Sequence, residues 1–410
     1  MSYIRHPESK FDKKGKRFFI ESLERPQDLG PLLREITFVF QNPQTRDVAL
    51  YFKQDFRPFP NILAPLAAAM EFIRRHGRQI RVLETHPGIE SCRYQDPLTV
   101  DRDQHALETP VGRVWQFNSP QEVYALVDAT VDYLSRSLLW EAGTLHSLEW
   151  SLYELLDNVF QHAQAPTGFF MFQVQAERRR LSFAVADQGV GILESLKGSK
   201  YKPSSALDAI TLAVQRGVTR NSETNMGNGL WGATEIAARS LGQITVSSSG
   251  SAIFFKRERG DAIAVPRVGV LDAAWPGTII DAQIDASVSV DVAKMFGTLD
   301  APVNLRLENL EDDSGALIVD VKQMRIGAGT RATGEAARLH LANLLKASER
   351  QLVVDLSGVG IVSSSFADEC FGKLHKQLGA EGFDARIAFR GVSDAVNVII
   401  RSAIAQRSAA

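Results

Sequence analysis

The sequence predicts an α+β protein: a two-layer α/β sandwich over residues 114–290, a small β-α-β domain over 315–410 and a mixed α/β segment over 1–113. Three observations predict it. Leu152, Leu155, Leu156 and Val159 recur at the i, i+3, i+4, i+7 spacing of a buried helical stripe. Two runs of strand composition, GFFMFQVQ and LSFAVAD, follow across the charged turn AERRR. Beyond residue 315 strand-like and helix-like stretches alternate, as a β-α-β unit requires.

In chain order, the first 113 residues hold a helical apolar pattern from Ile62 to Ile73, the strand-like RQIRVLE and a polar stretch ending near Pro110. No chemistry is legible there, so partner recognition is the expected role. Two helices in series span about 115 to 163, and the second carries Glu154, Asp157, Asn158 and His162 away from its apolar stripe. After the two strands a glycine-rich region runs from Asp187 to Gly232, interrupted by a polar loop, and the helix ATEIAARSL follows. QITVSSS, AIFFKRE and GTIIDAQI read as further strands of the same sheet. The polar stretch from about 290 to 315 reads as a junction. Past it come ALIVDV, a helix near GEAARLHLANLLKAS, QLVVDL, a helix near SFADECFGKLHKQL, ARIAFR and a final helix SDAVNVIIRSAIA.

Composition excludes several classes. With 44% hydrophobic and 23% charged residues among 410, the chain belongs with globular proteins rather than disordered ones. Cys92 and Cys370 lie far apart, which supports neither a disulfide scaffold nor a thiolate metal site and fits a reduced, cytoplasmic location. The start lacks the apolar core of a signal peptide, and no stretch reaches the ~18 apolar residues of a membrane span. A net charge of -2 provides no overall pull toward nucleic acid. The basic run Lys10, Lys13, Lys14, Lys16, Arg17 is read first as a solvated arm, and second as a nucleic-acid or partner contact.

Four motifs occur in order: Glu154-Leu-Leu-Asp157-Asn158 with His162-Ala163 just after, Asp187-Gln-Gly189-Val-Gly191, Gly227-Asn-Gly229-Leu-Trp-Gly232, and Gly277-Thr278 leading into a strand. Each alone is common in turns and helix starts. Together, over about 170 residues, they resemble the Bergerat-type ATP-binding domain of histidine kinases, the gyrase B subunit, Hsp90 chaperones and MutL proteins (the GHKL group). The closest type is that of the anti-sigma-factor serine kinases.

The resemblance implies a role for each residue, and each role has a physical reason. Asp187, ending a strand, would accept the exocyclic amine of adenine, a buried polar pair that discriminates against bases lacking the amine. Gly189 and Gly191 remove Cβ atoms so that backbone can approach base and sugar. Gly227, Gly229 and Gly232 lead into a helix whose first amides would meet phosphate oxygens. Asn158 offers a neutral oxygen to Mg²⁺. Thr278 would add a hydroxyl near the base. Glu154, one helical turn before Asn158, would orient or deprotonate the attacking water or acceptor hydroxyl. ATP and Mg²⁺ are therefore the expected cofactors.

Some positions carry two readings. His162 is a buried structural histidine or a phosphate contact. Lys197 to Asn225 would be the lid, with Lys200, Lys202, Arg216 and Arg220 as charge partners or as solvated loop residues. Trp231 departs from the small or aliphatic residues common there and is read as packing under the lid. The extra stretch RGDAIAVPRVGVLDAAWP is expected to rebuild the sheet edge. A sensor histidine kinase would need a phosphoacceptor histidine followed by an acid, whereas His146 precedes Ser147.

VVDLSGVGIVSSSFADECFGKL, with Asp355, Leu356, Ser357 and Ser363 to Ser365, resembles the anti-anti-sigma-factor domain and more closely a STAS-like domain of the DUF4325 type. Arg331, Thr333, Gly334 and Glu335 also suit that group. The resemblance makes Ser364 a candidate phosphoacceptor, although Ser363 replaces the aspartate that usually precedes it. Alternatively the serines simply cap the helix, with Asp368 and Glu369 favouring its dipole. The expected function is a serine/threonine kinase of the anti-sigma type. Alternatives are a conformational ATPase of the Hsp90 or MutL sort and a nucleotide-sensing module without turnover. The expected partner is the chain's own STAS-like domain or an external regulatory protein, with a homodimer as a further assembly.

Overall fold

Strand and helix periodicity in the first hundred residues builds a five-stranded sheet. In this computed structural model the described residues are 4–5, 10–56, 59–161, 163, 165–218, 228–258, 261–269, 275–297, 304–312, 314–324 and 327–408. Strands β1 (Ile4–Arg5), β2 (Phe11–Lys14) and β3 (Arg17–Ile20) are antiparallel. Helices α1 (Pro26–Phe40) and α2 (Pro60–Arg75) then carry the chain to β4 (Asp47–Phe52) and β5 (Gln79–Glu84), which add in parallel in the order β1-β2-β3-β4-β5. A short helix α3 (Pro87–Glu90) follows. Helix α2 opens on a proline at its first turn, where no amide partner is needed. It buries Ile62, Leu63, Leu66, Ala67, Ala68 and Ala69, so it is apolar around most of its girth and must be covered on both sides.

The second cover is an eight-stranded sheet. Its strands are β6 (Leu98–Thr99), β7 (Trp115–Phe117), β8 (Gly168–Gln175), β9 (Arg180–Asp187), β10 (Gln243–Ser248), β11 (Ser251–Glu258), β12 (Asp261–Val268) and β13 (Thr278–Asp285). Their order is β12-β11-β10-β13-β9-β8-β7-β6. Between them lie α4 (Pro120–Ser137), α5 (Thr144–Gln161), α6 (Gly191–Lys197), α7 (Ala206–Ala213) and α8 (Gly229–Arg239). Helix α2 packs on β8, β9 and β13, where Phe169, Met171, Ala184, Ala186 and Ile279 join the core of the first sheet. On the opposite face Val246 and Ile253 meet Ile210 of α7 and Leu230 of α8. Covered on both faces, β8 and β9 lose the apolar/polar alternation, which is why GFFMF reads as a continuous apolar run.

The extra stretch after Glu258 does rebuild the edge. β12 pairs antiparallel with β11 along its length, from Ser251↔Val268 to Glu258↔Asp261. Pro266 is tolerated there because β12 is the outermost strand and one of its sides makes no ladder bonds.

The chain divides into two compact units, one of Met1–Thr130 with Leu148–Asp285, the other of Val131–Ser147 with Ala286–Ala410. Beyond Ala286 the second unit holds α9 (Val292–Phe296) and α10 (Leu305–Leu310), two short helices inside the stretch read as a polar junction. Then β14 (Leu317–Asp320), α11 (Arg331–Ala347), β15 (Leu352–Asp355), α12 (Ser364–Ala367), α13 (Lys373–Arg386), β16 (Ile387–Arg390) and α14 (Asp394–Ser408) alternate. The three strands are parallel in the order β14-β15-β16 around a core of Leu317, Val319, Leu352, Val354, Phe366 and Phe371. A π-helical turn at Asp368–Gly372 links α12 to α13. Among the described residues no helix is long and apolar enough to cross a membrane.

Candidate functional site

Register brings the polar residues of three strands to one level. Ala186 of β9 pairs with Ile279 of β13, so one step further Asp187 lies beside Thr278, and Thr278 in turn pairs with Ser248 of β10. Residues opposite one another on neighbouring strands share a face, and here that face is the one away from α2. Asp187 is buried and accepts hydrogen bonds from the Gly189 N–H, at 2.7 Å, and from the Thr278 N–H. Burial pushes its carboxyl up to about 7, and the two backbone bonds oppose that rise.

The turns around Asp187 leave no room for side chains. A Cβ on Gly189 would lie 2.1 Å from the carbonyl oxygen of Ala163, just past the end of α5, and that oxygen accepts the Val190 N–H at 2.8 Å. Gly277 has φ +109° and sits where a Cβ would be 2.1 Å from the Asp187 carbonyl. Ser248 ties these turns together: its hydroxyl accepts from the Ile192 N–H at 3.0 Å and donates to the Gly277 carbonyl at 2.9 Å. Sequence reading passed over Ser248. The run of serines ending QITVSSS was its one signal, because polar residues that end a strand inside an apolar sheet need partners.

Glu154 and Asn158 lie on α5 four residues apart, both half-buried on its polar side. The Glu154 carboxylate rests against the first turn of α8, since a Cβ on Gly229 would be 2.5 Å from its Oε2. Burial and, after it, the Asp157 charge hold the Glu154 carboxyl above the usual glutamate range. Helix α8 starts at Gly229, and its Gly232 N–H bonds to the Asn228 carbonyl at 2.7 Å. The geometry therefore joins Glu154 with Gly229, and Asp187 with Gly189, Gly191, Thr278 and the end of α5. His162, Arg220 and Gly227 lie outside the described residues.

The flanking segment 191–218 folds into α6 and α7. Lys200 lies over the Tyr201 ring at 5.1 Å, and the Arg216 guanidinium lies over Trp231 of α8 at 5.2 Å. Trp231 thus packs against the segment read as the lid. Among the described residues no group of three His, Cys, Asp or Glu is arranged to hold a metal ion. Asn158 offers one neutral amide oxygen, a donor that Mg²⁺ would accept.

In the second unit Ser363 is the N-cap of α12, its hydroxyl accepting the Phe366 N–H at 3.0 Å and lying 3.0 Å from the Ser365 hydroxyl. Ser364 is exposed at the first helical position. Glu369 is buried in the π-helical turn and pairs with Lys373 at 2.7 Å and Arg331 at 2.9 Å, while Arg407 grips Asp368 at 2.6 and 2.8 Å. Asp368 and Glu369 therefore serve ion pairs between helices as well as the helix start.

No curated protein sequence matches the chain. Among solved structures, the 43K ATPase domain of Thermus thermophilus gyrase B in complex with an aminocoumarin is similar at 17% identity and a TM-score of 0.21, over 47% of this chain and 45% of that one. The chain thus spans less than half the length of that structure. Residues 334–397, from α11 into α14, match the family described as a STAS-like domain of unknown function (DUF4325).

Proposed function

We propose that the protein binds ATP with Mg²⁺ at the cleft between Asp187 and Glu154 and transfers the terminal phosphoryl group to a serine, its own Ser364 or that of a regulatory partner. One observation carries the reading: a buried carboxylate, Asp187, walled by Gly189 and Gly277 and paired with no cation among the described residues, on the same face as a second raised carboxylate set against a helix start. Such a carboxylate is costly to bury and suits a ligand that brings its own donor.

Asp187 accepts the adenine amine, and the glycines let the turns that hold it pack backbone against backbone. The first amides of α8 meet phosphate oxygens. Asn158 would hold Mg²⁺, and the ion would supply positive charge against the charge developing on the phosphates. Glu154, held by burial above the usual glutamate range, takes the proton of the acceptor hydroxyl. The capping of α12 by Ser363 supports Ser364 as that acceptor, because its hydroxyl is exposed rather than committed to the cap.

The same base serves water equally well, which makes a conformational ATPase the second reading. Incubation with γ-labelled ATP and Mg²⁺ separates the two, following protein-bound label and free phosphate together. The kinase reading expects label on protein that disappears in Ser364→Ala, or appears on an added partner. Free phosphate with no label on any protein would replace it by the ATPase.

A further inference from the structure

Helix α11 of the C-terminal domain turns three residues at i, i+3 and i+6, His340, Asn343 and Lys346, onto the turn that joins α4 to α5. All of these contacts lie inside the second unit. Asn343 is buried and makes three bonds to main chain: its Oδ1 accepts the Trp140 N–H at 2.8 Å, and its Nδ2 donates to the carbonyls of Ser135 and Leu138 at 2.7 and 2.8 Å. His340 Nδ1 lies 2.9 Å from the Ser135 hydroxyl. Lys346 bonds both carboxylate oxygens of Glu141 at 2.8 Å.

The far side of the turn is held as closely. The Glu141 N–H bonds to the Ala286 carbonyl at 2.9 Å, the Thr144 hydroxyl to the Val288 carbonyl at 2.6 Å, and the Ser147 hydroxyl to the Val290 carbonyl at 3.0 Å. Gly143 has φ +78°, and a Cβ there would lie 2.5 Å from the Val290 carbonyl. Helix α5 begins in this clamp at Thr144 and runs as one helix to Gln161, carrying Glu154 and Asn158. At about 1.5 Å per residue, Glu154 lies about 15 Å along the axis from the first residue of α5.

We propose that Asn343 is a positioning residue for the phosphoryl-transfer site: by gripping the turn at the head of α5 it fixes the setting of Glu154 and Asn158, and displacement of α11 is the means by which the STAS-like domain governs turnover. The inference rests on the ATP reading above. A neutral amide satisfied by main chain suits this task. It specifies one register of the turn without burying a charge, and each of its bonds exchanges with water at small net cost, so the grip is reversible. Desolvation lowers the pKa of the half-buried His340 to about 4, opposed by the Asp132 charge and aided by Arg306 and Arg136, so the grip does not turn on its protonation at neutral pH.

Asp187 stands on a strand and not on α5, so the grip is expected to divide catalysis from binding. In Asn343→Ala, turnover should fall about tenfold or more while ATP affinity measured without Mg²⁺ stays within about threefold, because misplacing a catalytic group by an ångström costs rate before it costs binding. Amide hydrogen exchange over residues 148–160 should quicken in the same variant without nucleotide. Lys346→Glu should slow turnover about threefold, and Glu141→Lys combined with it should restore the rate, as expected of a partly exposed ion pair.

A folded Asn343→Ala protein with wild-type turnover and wild-type exchange at 148–160 overturns the proposal. If that variant does not fold, the charge swap decides, and a double variant no better than Lys346→Glu overturns it. Wild-type protein that binds no ATP sinks the nucleotide reading instead. The exchange measurement then still tests the grip, because it needs no ligand.

Discussion

Asp187→Asn is expected to weaken ATP binding about 100-fold or more while making the protein more stable, and the gain should grow with pH. The carboxylate has two oxygens, and the Gly189 N–H occupies one of them at 2.7 Å. Because the Gly189 and Thr278 N–H groups both donate to Asp187, an asparagine must turn its own NH₂ toward one of these donors or toward the adenine amine, donor against donor. Loss of about 10² or more in affinity follows from leaving that buried contact unpaired.

The stability change has a definite sign. The folded carboxyl titrates at about 7, above the ordinary 3.8, so the folded state holds its proton more tightly than the unfolded chain. Stability from this group is present below the unfolded value and is lost as pH rises toward 7, a swing of about 4 kcal/mol at about 1.4 kcal/mol per unit. The variant removes the titration. Denaturant unfolding of the two proteins should therefore diverge from pH 5 to pH 8, with the variant ahead by a few kcal/mol at the upper end. Equal stabilities at pH 8 would show that Asp187 is not held in an unfavourable ionised state.

Glu154→Gln carries the second large effect. Glutamine keeps the shape against Gly229 but cannot accept a proton, so turnover should fall about 10²- to 10⁴-fold with ATP affinity changed little. The wild-type rate should also show an acid limb placed above the ordinary glutamate value, because burial and Asp157 raise this carboxyl. Glu154→Gln with undiminished turnover would remove Glu154 as the base.

The local elements that carry the candidate residues were legible in sequence because each is set by neighbours in the chain. The spacing of Leu152, Leu155, Leu156 and Val159 orients α5 and with it Glu154 and Asn158. The run ending at Asp187 is a strand, and Gly189 and Gly191 follow it as a turn. The rest depends on partners distant in the chain. That α2 covers the back of β8 and β9 was hidden because continuous apolar runs suit many settings. Ser248 gained its role through register with Thr278, thirty residues later. The grip on the α4–α5 turn was invisible because Asn343 and Trp140 lie 203 positions apart, and a lone asparagine in an amphipathic helix has no periodic signature. Nor does sequence foretell the π-helical turn at Asp368–Gly372, which shifts the register of α13 relative to α12.

The central claim is that Asp187 reads the amine of adenine, and calorimetric titration of the wild-type protein with ATP and with GTP, each with Mg²⁺, tests it most directly. The account predicts saturable binding of one ATP per chain and GTP weaker by about 10² or more, because the guanine carbonyl would place an acceptor against the Asp187 acceptor. Equal binding of the two nucleotides, or none of either, would contradict it.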